Sequence, residues 1–330
     1  MKFFYLFFLV TIPVFAQIGG SSTFQFLSLN TSPKASSLGG YAHSIIDSDL
    51  SIGIYNPAVI NTSMINKLLF NYTNYYDGIL YGDVGYCFNA LNHTFTTSIK
   101  FINYGDFIET DIYGSELGVF TSGEYALALG SSHTIDSVLF IGINAKVAYS
   151  SFYTVSSFAL LTDMSATYRY PKKDIIISFI MKNLGYQIVP YYKGNVEPLP
   201  FELLIGISNK LAHMPLRWHL TFQHIERPSL TYNNNNLTDL NQELGLGENI
   251  LRHVVLGAEL LISNNINILL GYNNRLRSEM VIYDRRALVG FSCGIMLKVN
   301  RFQLNYSRSS NHFSGPVNTF GILTNLRKVD

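Results

Sequence analysis

From Lys67 onward, apolar and polar positions alternate with a period of two. Leu216, Trp218, Leu220 and Phe222 interleave with Arg217, His219, Thr221 and Gln223. Ala287, Val289, Phe291, Cys293, Ile295, Leu297 and Val299 interleave with Arg286, Gly290, Ser292, Gly294 and Lys298. Phe302, Leu304 and Tyr306 do so with Arg301, Gln303, Asn305 and Ser307. A helix cannot place such a set on one face, whereas a strand does so by geometry alone. The pattern predicts about fourteen strands, beginning near Lys67, Leu80, His93, Gly118, Ser137, Ser156, Lys173, Pro200, Met214, Leu251, Asn265, Arg286, Arg301 and Val317. Most run on the order of 9–14 residues, longer than globular strands and long enough for a tilted strand to cross hydrocarbon.

The connections sort by parity. After even-numbered strands they are tight, around Leu91-Asn92, residues 131–136, Pro171-Lys172, His213, Ser263-Asn264 and Asn300. After odd-numbered strands they are longer, at residues 105–117, 185–199, 226–250, 274–285 and 310–316, with short exceptions near Asp77-Gly78 and Thr154. One rim of turns and one of loops describes an outer-membrane barrel, periplasmic and extracellular respectively. In lipid every backbone N–H and C=O needs an internal partner, and closing the sheet removes the unpaired edges. The predicted fold is therefore all-β: a closed antiparallel transmembrane β-barrel over residues 67–330, apolar side chains to lipid and polar ones to the lumen. Leu220→Arg and Ile295→Arg should then be costly and Thr221→Arg mild.

Two further segments precede the barrel. Residues 1–16 combine the charged start Met1-Lys2, an apolar run from Phe3 to Val10, and Val14-Phe15-Ala16 before Gln17. This reads as a signal peptide cleaved after Ala16, and the apolar run is too short to span a bilayer. Residues 17–66 alternate small residues and turn formers with Phe24, Phe26, Leu27, Leu29, Ile45, Ile46, Ile52 and Ile54. Too apolar for a free tail and too short to fold alone comfortably, this segment is expected to form a plug in the lumen or its periplasmic mouth. An ordinary periplasmic extension is the alternative.

Composition narrows the function classes. Charged residues make up only 14% of the 330, with 23 Lys+Arg against 22 Asp+Glu. There is no basic excess to neutralise the phosphates of a nucleic acid. Two cysteines cannot build a disulfide scaffold. Cys87 falls in a lumen-facing set and Cys293 in a lipid-facing one, so they are not expected to pair.

The stretch at residues 38–61, LGGYAHSIIDSDLSIGIYNPAVIN, resembles the N-terminal signature of FadL-like outer-membrane barrels, including the PorV/PorQ branch of Bacteroidota. The resemblance rests on Gly39, Gly40, Asp49, Asn56, Pro57 and Ala58, extends back through FQFLSLNTSPKASSLGG, and covers about 45 residues. It implies a fourteen-stranded outer-membrane barrel. It also implies a role in type IX protein secretion, holding a PorZ-like surface protein in an attachment complex with PorU and PorV. The ending LRKVD departs from the terminal Phe common in barrels of other phyla.

Candidate chemistry is sparse. His213, His219 and His224 are the closest histidines, but alternation sends His219 to the lumen and His224 to the other side. Asp47-Ser48-Asp49 lacks the remaining spacing of a Ca²⁺ loop. No Gly-x-Ser-x-Gly elbow and no carboxylate pair is legible, so neither an enzyme nor a cofactor is predicted. The lumen set carries Lys100, Lys146, Lys182, Arg217, Arg286, Lys298 and Arg301 with Glu202 and Glu259. It reads either as a paired ladder holding the plug or as the lining of a selective pore. The long loops are more apolar than free loops require, with Tyr191 and Tyr192 in one and Tyr232 and Leu244 in the other as candidate partner contacts. Two functions follow: an anchor for a surface partner, or a transporter of hydrophobic small molecules.

Overall fold

The computed structural model describes residues 22–230, 245–280, 288–312 and 315–326. Fourteen strands close into one antiparallel barrel in chain order. They are β1 (Lys67–Asn74), β2 (Leu80–Ala90), β3 (His93–Thr110), β4 (Glu116–Asp136), β5 (Leu139–Phe152), β6 (Val155–Tyr170) and β7 (Ile175–Val189). The second half is β8 (Glu202–Lys210), β9 (Leu216–Phe222), β10 (Val254–Leu261), β11 (Ile266–Asn273), β12 (Phe291–Val299), β13 (Phe302–His312) and β14 (Gly315–Asn325). β1 closes on β14 from Lys67 opposite Asn325 to Asn74 opposite Asn318. The observed starts lie within three residues of those read from alternation, except β12, which starts five residues later.

The two faces separate as the alternation requires. Phe70, Ile99, Leu127, Leu160, Phe179 and Phe320 are exposed on the outer wall, while Asn71, Ser98, Asp163, Ser178, Glu259 and Thr319 are buried inside. Such an exposed apolar belt is the surface a lipid-facing barrel wall presents. Cys87 is buried inside and Cys293 exposed outside, both as free thiols.

The tight rim is built from short turns. Leu91 and Asn92 both adopt positive φ, 50° and 61°, the mirror-image turn geometry that matches strand twist. The opposite rim departs from the sequence reading. Residues 105–117, expected as a loop, are mostly strand: β3 runs to Thr110 and β4 resumes at Glu116. Gly105, at φ 86°, lies where the register between Asn103 and Asp106 slips, and the ladder continues beyond the slip. Residues 310–312 and 315–316 are likewise strand, and residues 185–189 complete β7. Two short helices, Leu246–Arg252 and Asn274–Met280, flank the remaining loops among the described residues. The expected signal peptide, Arg286, Tyr232 and Leu244 lie outside the described residues.

Candidate functional site: the filled lumen

Residues 22–66 run through the barrel, from the long-loop rim, where Thr23 N–H donates to Pro198 O (3.0 Å), to the short-turn rim, where Ser132 Oγ donates to Ile60 O (2.6 Å). The segment folds as capped single turns. Ser32 caps one helix (Pro33–Ser37), and Asp49 caps a second (Leu50–Tyr55) by accepting from Ser51 N at 3.0 Å. Asn56 accepts from Ala58 N (3.1 Å) to start the turn Pro57–Val59. Such caps let a short chain satisfy its own backbone where no water competes. Phe24, Phe26, Leu38, Ile45, Leu50, Ile52 and Met64 are fully buried against the wall, each contributing about 1.5–3 kcal/mol of apolar burial.

The wall is cut to receive this chain. Seven inward-facing glycines stand where a Cβ would strike or crowd the segment: Gly85 meets Ile54, Gly142 meets Pro57 and Ala58, Gly206 meets Ser44, Gly271 meets Leu38 and Gly39, Gly294 meets Ser37, Gly321 meets Pro33, and Gly257 crowds Leu38 at 3.1 Å. At Gly142 a Cβ would lie 2.1 Å from Pro57 C and 2.2 Å from Ala58 N, both backbone atoms that cannot rotate away.

Polar groups complete the fit. Lys34, 2% exposed, is bonded to the Asp47 carboxylate and stands 3.8 Å from Glu259 Oε1. Arg217 Nη1 lies 2.9 Å from Glu259 Oε2, and Asn267 Nδ2 donates to Oε1 at 3.0 Å. Two cations thus meet two carboxylates at the segment–wall contact. Burial alone would lower the Lys34 pKa, but Asp47 and Glu259 outweigh it and hold the ammonium above its ordinary value. Lys100 donates to the Leu27 and Leu29 carbonyls. Lys146 pairs with Asp163 at 2.6 Å. Lys182 Nζ sits 3.1 Å from His43 Nε2 and over the rings of Tyr41 and Tyr55. Asn56 Nδ2 reaches His43 O (2.6 Å), Thr167 Oγ1 (3.2 Å) and Ser178 Oγ (3.3 Å). The luminal charges therefore form paired contacts with each other and with the segment. Between them, toward the long-loop rim, lies a cavity of about 160 Å³ lined by Leu29, Tyr41, His43, Tyr55, Lys182 and Asn273 among others.

The residues singled out from sequence sort as follows. Gly39 and Gly40 follow the first short helix at φ 87° and 96°, and Gly39 is pressed against Val255 and the Tyr272 carbonyl. With Asp49, Asn56, Pro57 and Ala58 they lie inside the barrel, spread along the segment as caps and wall contacts. Tyr191 turns inward: its hydroxyl donates to Ser150 Oγ (2.5 Å) and its ring stacks on Phe24. Tyr192 is 66% exposed. Lys298 and Arg301 sit on the short-turn rim and are exposed. His224 does not face lipid. Its φ of 53° ends the alternation after β9, and the ring comes within 3.5 Å of Glu202 and 3.1 Å of Glu226. Thr221 is 3% exposed and touches Tyr41 O, so an arginine there would meet packed chain, contrary to the mild cost expected from sequence. Sequence reasoning missed Asp83, Glu124 and Asp163, all on the luminal phase of their strands, and Lys34, which no strand phase could have marked; Asp47 was weighed only as part of a Ca²⁺ loop, and its role is the ion pair with Lys34.

Among solved structures, the toluene transporter TodX of Pseudomonas putida superposes with a TM-score of 0.52 at 11% identity, over 89% of this chain and 96% of that one. The monoaromatic hydrocarbon channel CymD superposes with a TM-score of 0.54 at 9% identity, over 93% of this chain and all of that one. A FadL homologue of Pseudomonas aeruginosa aligns over 91% of this chain with a TM-score of 0.44. The chain shares the fold of TodX and CymD, a closed β-barrel that here has fourteen strands. No protein-family model and no curated protein matches the sequence.

Proposed function

We propose that this chain is an outer-membrane barrel plugged by its own N-terminal segment, and that it anchors a partner at the cell surface rather than conducting solute. One observation carries the reading: the seven luminal glycines fitted to residues 22–66. A wall shaped to a resident chain supports a rigid, closed body, and the work then falls to the long-loop rim. There Tyr192, Val196, Ile250 and Leu251 are exposed apolar residues, the kind of surface that marks partner sites. In its finer form, the proposal follows the N-terminal resemblance: membership of the type IX attachment complex, with a PorZ-like partner and with PorU and PorV nearby.

A second reading is a channel for hydrophobic compounds. It is favoured by the fold shared with TodX and CymD, named as a toluene transporter and a hydrocarbon channel. The segment would then be a gate, and the 160 Å³ cavity a holding site. The two divide in one experiment. In cells lacking the native gene, a version with residues 106–120, 190–201 and 226–250 replaced by short Gly/Ser turns is compared with wild type. The anchor reading expects the barrel to assemble, because closure entropy changes slowly with loop length, while the surface partner is released and secretion falls. Normal attachment and secretion, together with loss of toluene or fatty-acid uptake in the deletion strain, would replace the anchor with the channel.

A further inference from the structure

The β3–β4 hairpin is longer than the barrel needs. β3 has 18 residues and β4 has 21, whereas about ten tilted residues cross the hydrocarbon. The excess is a ribbon. β2 pairs with β3 only as far as Asn103, opposite Leu80, and β5 pairs with β4 only from Gly123, opposite Ser151. Beyond those points the two strands pair with each other, from Asp106–Thr121 through Phe107–Phe120 and Ile108–Val119 to Thr110–Glu116. At about 3.3 Å per residue the ribbon stands roughly 20 Å above its neighbours.

Three properties of the ribbon point the same way. Neither outer edge has a ladder partner among the described strands, which leaves rows of backbone donors and acceptors open. Its outward face is apolar: Ile108 is 60% and Val119 is 67% exposed, with Leu117, Ile112 and Tyr113 at the tip also exposed. Residues 104–122 carry Asp106, Glu109, Asp111 and Glu116 and no Lys or Arg. The inner face holds the ribbon upright, since Phe107 stacks on Phe120, Phe120 packs on Tyr153, and Tyr153 Oη donates to Glu109 Oε1 at 2.5 Å. An edge-open, acidic ribbon disfavours an anionic membrane surface and matches an extended basic strand.

We infer that the ribbon at residues 104–122 is a docking edge for a partner that adds a basic, apolar β-strand to it. This rests on the surface-anchor reading above and names where and how the partner binds. Tyr104, at the base of the ribbon, packs against the cluster that holds Phe24, Phe26 and Leu27, so the trimming is confined to residues 106–120, beyond that contact.

The test uses the purified full-length barrel in detergent, folded as judged by heat-modifiable gel mobility. The probe is a short fluorescent peptide of alternating lysine and valine, read by anisotropy. Two companion peptides accompany it, one N-methylated at alternate residues and one with glutamate for lysine. The expected result is that the lysine peptide binds, that either companion binds at least tenfold more weakly, and that Asp106→Lys with Glu116→Lys weakens the lysine peptide similarly. Because trimming residues 106–120 to a Gly/Ser turn could disturb assembly, the charge-reversal pair stands beside it as a variant that keeps the ribbon. Equal binding of the N-methylated peptide, or undiminished binding to the charge-reversed barrel, overturns the inference. So does self-association of the barrel that vanishes on trimming, which would assign the edge to a second copy. Binding that survives trimming but is lost on replacing residues 190–201 removes the ribbon as the site and leaves the anchor reading standing. Failure of that reading shows separately, as partner attachment in cells that survives loop replacement and trimming together.

Discussion

Gly142 is the sharpest place to ask whether the lumen is built around its occupant. It lies on β5, facing inward, between Ser132 of β4 and Ser165 of β6. A valine there places its Cβ within about 2.2 Å of the Pro57–Ala58 peptide, far inside van der Waals contact. Gly142 is held in the ladder on both sides, opposite Ser132 and Ser165, so the turn Pro57–Val59 must lift. Lifting separates Ala58 N from Ser165 Oγ, now 2.8 Å apart, and pulls Asn56 from Thr167 and Ser178. A buried donor left unpaired costs about 1–3 kcal/mol, and overpacking a filled interior costs about 1–3 kcal/mol more. The seated state should therefore lose roughly 2–6 kcal/mol, about thirty-fold or more in the fraction unseated. The barrel itself should survive, since its outer face and ladders are untouched.

Cys87 reports the event. It is 0% exposed, inside the barrel, packed with Leu50 and Met64 of the segment. With the lipid-facing Cys293 replaced by alanine, Cys87 is the sole thiol. In the folded wild type it should resist a water-soluble maleimide. In Gly142→Val it should react at least thirty-fold faster, and the protein should conduct ions in a planar bilayer. Gly118→Ala, where the added Cβ has only Glu109 at 4.0 Å, should change neither. A folded Gly142→Val barrel with a protected Cys87 and no conductance would refute the claim that the glycine makes room for the segment.

Three further outcomes are expected. Leu220→Arg on the outer wall should cost roughly 2–4 kcal/mol in reversible unfolding from lipid, and Thr221→Arg should cost about 1–3 kcal/mol through overpacking rather than being silent; a silent Thr221→Arg would mean the lumen has free space beside Tyr41. Lys34→Met should speed Cys87 labelling, because it strands the Asp47 carboxylate, while Lys34→Met with Asp47→Asn should speed it less than the sum of the singles; additivity in that double-mutant cycle would deny the coupling. His43 is held neutral, first by burial and then by the Lys182 ammonium, with its pKa well below the ordinary value; an unseated segment takes up this proton below about pH 6.5 and the seated one does not, so seating should weaken as pH falls from 7.5 to 5.5, read as rising conductance, and His43→Asn should flatten that profile.

Alternation was sufficient to locate all fourteen strands because apolar residues hold most of the outward phase, with Thr97, Thr162 and Arg308 among the few departures. The same rule misjudged the hairpin tips. Residues 105–117 carry turn formers, Gly105 and Gly114, and read as a loop, yet cross-strand pairs such as Phe107–Phe120 extend the ladder past the point where lipid demands it. The partner surface was also half visible. Tyr191 and Tyr192 are neighbours of identical type, and only tertiary contact with Phe24 and Ser150 sends the first inward. Lys34 and Asp47 belong to a segment without periodicity, so nothing local to the sequence set them opposite Glu259 and Arg217.

What alternation cannot do is say what a polar lumen contains, since water and a packed polar chain impose the same pattern on the wall. Glycine separates the two. A water-filled channel gains nothing from removing inward side chains, and glycine weakens a strand by lost packing and added chain entropy. A resident chain makes glycine favourable wherever its backbone touches the wall. Gly85, Gly142, Gly206, Gly257, Gly271, Gly294 and Gly321 all fall on the inward phase of their strands, on β2, β5, β8, β10, β11, β12 and β14. They are spread around the circumference, as contact with a segment that fills the cross-section requires and a single lateral opening would not. The phase of these glycines is written in the sequence, and it distinguishes an occupied barrel from an open one before any loop or charge is considered.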